Sequence, residues 1–117
     1  MKALNRSAIS VIGNQPFLEW VNYNCMQDQE PLTLEELNSD ITIYLIDELA
    51  DFEEELTAYL RRNFTGIFEA ELQSWTDDET TWPDDLSFKR FQSYFTVTPS
   101  SLVADICEET IELESMP

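Results

Sequence analysis

Carboxylates are the residues best placed to do chemistry in this chain. Six fall within nine positions: Asp47, Glu48, Asp51, Glu53, Glu54 and Glu55. A second group, Asp77, Asp78, Glu79, Asp84 and Asp85, flanks Trp82-Pro83. Oxygen-rich clusters suit hard cations such as Mg²⁺ or Ca²⁺. Yet TDDETTWPDD lacks the alternating ligands and central glycine of a calcium loop. Paired acids also serve glycoside hydrolysis, which needs a sugar cleft and a defined separation.

Other chemistries are excluded by residue type. Histidine is absent, which removes Ser-His-Asp and Cys-His nucleophile sites and the commonest metal ligand. Gly13 and Gly66 are the only glycines, so no glycine-rich phosphate loop exists. Cys25 and Cys107 make no zinc signature and read as free thiols of a cytoplasmic protein. No cofactor site is indicated.

The charge has a physical reading of its own. The net charge is −18, and residues 25–60 hold eleven acids and no base. Direct binding to nucleic acid or to anionic membrane is disfavoured, and a basic protein surface is the natural complement. The expected partner-binding residues are Asp47, Glu48, Asp51, Glu54 and Glu55, with Asp77, Asp78, Glu79, Trp82, Asp84 and Asp85 as a second patch. Trp82 reads either as an exposed anchor or as a lid on the core.

Three functions compete. The first is a non-enzymatic protein that docks on a basic partner. The second is an inhibitor that imitates nucleic acid, since a helix rising about 1.5 Å per residue can match one phosphate per roughly 1.7 Å of DNA axis. The third is a carboxylate- or divalent-metal-dependent enzyme, which needs inward-facing acids with raised pKa values in a pocket. Solubility alone is the bland account of the same charge. A homodimer remains open.

The elements that must position these acids follow from apolar spacing. The chain of 117 residues, 43% apolar, predicts one α+β domain over 1–117 with an acidic tail from about residue 108. The expected architecture is a small mixed or antiparallel sheet of about four strands, with helices mainly on one face. AISVI at 8–12 predicts a strand, and Pro16 opens a short helix with Phe17, Trp20 and Val21 on one side. Thr33 and Glu36 form a capping box. ITIYLI at 41–46 predicts a central strand, because both its faces are apolar.

Asp47 is expected to cap a long helix with Leu49, Phe52, Leu56, Tyr59 and Leu60 along one stripe. On that helix Glu48, Asp51 and Glu55 would align, as would Asp47, Asp51 and Glu54. Asn63 and Gly66 predict a break or kink before IFEAELQSW resumes the helical spacing. Asp84 or Asp85 is expected to cap LSFKRFQSYF. FTVTPSSLVADIC predicts a hairpin around Pro99, followed by a frayed end or an edge strand. The succession PFLEWVN, TIYLID, acidic helix and late Trp-Pro resembles small acidic bacterial proteins, a likeness that implies no activity and no site residue.

Overall fold

The structure, a computed structural model, describes residues 1–116, and Phe52 by its backbone alone. The elements run β1 (Lys2–Ala3), β2 (Ser7–Gly13), α1 (Gln15–Cys25), α2 (Leu34–Leu37), β3 (Ile43–Ile46), α3 (Phe52–Gln73), α4 (Phe88–Tyr94), β4 (Phe95–Ser100) and β5 (Ala104–Asp105), with a 3-10 turn at Glu79–Thr81. This is an α+β fold. The strands form two antiparallel sheets, one ordered β3-β2-β4 and one pairing β1 with β5.

β2 is the central strand. Ser7, Ile9 and Val11 face the helices and are at most 2% exposed. Their sheet neighbours Ile46 and Val97 complete this inner face. Against it pack Leu60, Ile67, Phe68 and Leu72 of α3, Phe17, Trp20 and Val21 of α1, and Phe91 of α4. Phe68 meets Phe95 edge-on at 5.7 Å between ring centroids, and Phe17 stacks on Trp20 at 5.8 Å. Such ring pairs add directional attraction to the burial of apolar area. Gly13 ends β2 where room is shortest: a Cβ there would lie 2.7 Å from a Leu37 methyl and 2.9 Å from the Phe17 ring.

Local signals behave as expected at several ends. Pro16 sits in the first turn of α1. The Thr33 hydroxyl accepts from the Glu36 N–H at 3.1 Å, and the Glu36 carboxylate accepts from the Thr33 N–H at 3.0 Å. Both cysteines are free.

Five expectations need correction. β3 is an edge strand, not the central one, and only four of its six expected residues pair. Helix α3 starts at Phe52 rather than at Asp47. The chain leaves β3 in an irregular connection, the Leu49 N–H reaches the Ser7 hydroxyl at 3.4 Å, and Asp51 supplies the cap. The helix runs unbroken past Asn63 and Gly66 to Gln73, because Ile67 and Phe68 are held by the core and tertiary packing overrides the glycine penalty.

The cap of α4 is Ser87, whose hydroxyl accepts from the Arg90 N–H, and not Asp84 or Asp85. The hairpin at 95–107 does not form. β4 pairs with β2, and β5 pairs with β1. Pro99 within β4 lacks an N–H for a second partner, and the chain turns instead to the amino terminus, where the Leu4 N–H donates to the Val103 carbonyl at 2.8 Å. Beyond β5 the described tail is neither helix nor strand, and Ile111, Leu113 and Met116 are exposed.

Candidate functional site

All ten acids of the two expected patches are exposed. Their placement differs from the aligned rows that a helix from Asp47 would give. Asp47 and Glu48 lie in the irregular connection before α3, so no i, i+4 register links them to Asp51 or Glu55. Asp51 is the N-cap, and its carboxylate accepts from the N–H groups of Glu53 and Glu54 at 3.2 and 3.4 Å. Glu55 reaches back to accept from the Ala50 N–H at 3.1 Å. Glu53, Glu54 and Glu55 occupy the first turn, where the helix dipole favours negative charge. The crowding of acids is therefore partly offset by the helix end it surrounds.

The second patch begins just beyond the other end of α3, about 33 Å away by helical rise. Asp78 caps the 3-10 turn, accepting from the Thr80 N–H at 3.1 Å and its hydroxyl at 2.6 Å. Two indoles hold this loop. The Trp20 N–H donates to the Thr81 carbonyl at 3.0 Å, and the Trp82 N–H donates to the Thr76 carbonyl at 3.3 Å. Trp82 is half-buried against the core periphery, so it tucks inward instead of standing free. With Glu69, Asp77 and Glu79 it borders a hollow of about 300 Å³. Asp84 and Asp85 follow on the exposed side of the loop.

The two patches do not form one row. Between Glu55 and Glu69 helix α3 carries no acid, and Arg61 and Arg62 lie in that interval. Arg61 sits over the Phe88 ring at 4.8 Å.

A third feature was not anticipated from the sequence. Where β3 parts from β2, a cavity of about 330 Å³ opens, bordered by Gly13, Asn38, Asp40, Thr42, Glu71 and Trp75. Residues 40–42 do not continue the pairing with Val11–Gly13. The Asn38 side chain takes that role at Gly13, accepting from its N–H at 2.8 Å and donating to its carbonyl at 2.9 Å. Glu71 projects from α3 and accepts from the Tyr44 hydroxyl at 2.5 Å. Burial pushes the Glu71 carboxyl above its ordinary value, and the Tyr44 hydrogen bond opposes the shift without cancelling it. Burial, reinforced by the nearby carboxylate, drives the Tyr44 phenol far above its usual range.

One signal in the sequence could have pointed to Glu71. It falls four residues after Ile67, three after Phe68 and four before Trp75, so a charge interrupts an otherwise apolar stripe. None of the expected partner-binding residues borders this cavity. Among the described residues no cluster of three or more acids or cysteines has the geometry of a metal site, and no helix is long and apolar enough to cross a membrane. Comparison with protein-family models, with curated proteins and with solved structures finds no match to this chain.

Proposed function

We propose that this protein acts in the cytoplasm, without catalysis, by docking its acidic surface on a basic protein. The observation that carries the reading is the exposure of Asp47, Glu48, Asp51, Glu54 and Glu55 around the start of α3. They lie within a stretch of eleven acids that contains no base. Such a surface steers a cationic partner during encounter and fixes its orientation on contact. Asp47, Glu48, Glu54, Asp77, Glu79, Asp84 and Asp85 make no side-chain hydrogen bond among the described residues, so their charge is available to a partner. Asp51, Glu55 and Asp78 bond their own backbone, and their first task is to shape the surface.

The nucleic-acid-mimic reading draws no support from α3, whose acids are confined to its first turn and to Glu69 and Glu71. An enzyme built on the two acidic patches draws none either, since the cavity holding the perturbed carboxyl is lined by other residues.

The test is co-purification from native cells at low and high salt. Wild-type protein is compared with a variant carrying Asp47→Lys, Glu48→Lys, Asp84→Lys and Asp85→Lys, none of which caps an element. The expected outcome is a cationic protein retained by wild type, released by salt and absent from the variant. Equal recovery of all proteins by both chains overturns the reading.

A further inference from the structure

The three-stranded sheet has two edges, and they are guarded differently. β4 contains Pro99, and its outward side chains Thr96, Thr98 and Ser100 are polar and exposed. A proline on the edge and a polar outer face are common ways of discouraging further strand pairing. β3 has neither proline nor lysine. Its outward side chains are Ile43 and Leu45, each 54% exposed. Among the described residues its only strand neighbour is β2, so one row of its backbone groups is left for another partner.

Charge says what that partner is. Asp40 stands before this edge, and Asp47 and Glu48 stand after it, all exposed. The cavity is lined by Asp40 and Thr42, just before this strand, and by Glu71 and Trp75. A lysine or arginine side chain entering there would meet two carboxyl groups and an aromatic surface, the surroundings that stabilise an organic cation. A second copy of the chain would bring a further −18 of charge. The chain's own tail, with Ile111 and Leu113 alternating with Glu112 and Glu114, is also acidic. Repulsion opposes both.

We infer that β3 receives an extended segment of a partner protein as a fourth strand, apolar at alternate positions and basic between them, with one lysine or arginine seated in the cavity between Asp40 and Glu71. Backbone pairing would give affinity, and the side-chain pattern would give selectivity. This inference rests on the proposed docking to a basic partner and adds where and in what conformation the partner is held.

The experiment uses the full chain and three synthetic peptides. One alternates valine with lysine. The second has the same sequence with alternate backbone amides N-methylated, which keeps the charge and blocks strand pairing. The third alternates valine with glutamate. Binding is followed by amide NMR shifts and by titration at low salt. The first peptide should bind and shift the amides of residues 40–46. N-methylation, Leu45→Lys and Glu71→Gln should each weaken binding by about tenfold or more, with the thermal melts of both variants showing that they fold. The glutamate peptide should not bind.

If the methylated peptide binds as tightly as the first, and Asp47→Lys with Glu48→Lys weakens both, the strand-addition idea falls while the acidic-surface reading stands. If no lysine peptide binds, both fall. If the protein alone doubles in mass with concentration and shifts the same amides, the edge belongs to a second copy and the inference is overturned.

Discussion

The two halves of α3 treat charge in opposite ways. In the first half Glu53, Glu54 and Glu55 are exposed, Leu56 and Tyr59 are half-buried, and Leu60 is buried. In the second half Ile67, Phe68 and Leu72 are buried, and one acid, Glu71, is drawn under the sheet to meet Tyr44. The first half spends its acids on solvent and on its own amino terminus. The second half keeps one acid where burial opposes its ionisation. Acidity along one helix thus serves two physical roles, and exposure decides which.

The largest effect should separate the halves by packing. Phe68→Ala leaves a void beside Phe91, Tyr94 and Phe95 and should cost about 3–5 kcal/mol. Leu56→Ala, at a half-buried position, should cost under about 2 kcal/mol. Urea midpoints of the two variants measure the contrast, and equal losses would erase it.

A smaller effect tests the amino-terminal end. Asp51→Ala removes the acceptor for two backbone N–H groups and should cost about 1 kcal/mol, with Asp51→Asn recovering most of it. A substitution at Asp47 should leave the same melt unchanged, because Asp47 caps nothing.

The smallest effect concerns pH. The folded carboxyl of Glu71 holds its proton above its ordinary value of 4.5. Below that value both the folded and the unfolded chain are protonated at this site. As pH rises, the unfolded chain loses the proton first, so Glu71 lowers stability progressively until the folded carboxyl has also ionised. Glu71→Gln cannot ionise. Its stability relative to wild type should therefore rise from about pH 4 towards neutrality. A difference that stays flat across that range would show that burial does not oppose the charge.

Much of the local structure was legible. The capping box at Thr33 and Glu36, Pro16 in the first turn of α1, the helical spacing of Leu56, Tyr59 and Leu60 and the separate spacing of Ile67, Phe68 and Leu72 each depend on neighbours a few residues apart. Gly66 misled for an equally physical reason. It has open space around its backbone and a cost in an isolated helix, yet packing on both sides carries the helix through it. ITIYLI misled because two apolar faces ordinarily mean burial on both sides, whereas Ile43 and Leu45 lie open. That mismatch marks the edge to which the further inference assigns a partner.

Residue order alone settled the sign and crowding of the charge, the absence of histidine chemistry, the α+β character and the starts of α1 and α2. Those properties are sums over the chain or contacts within one helical turn. Only the tertiary structure decided that β2 is central, that β1 pairs with β5, that Asp51 rather than Asp47 caps α3, and that Glu71 and Asp40 line one cavity. Each of those joins residues that are distant in sequence or sets one local option against another. The balance is struck by which arrangement buries the most apolar surface while leaving the fewest polar groups unpaired.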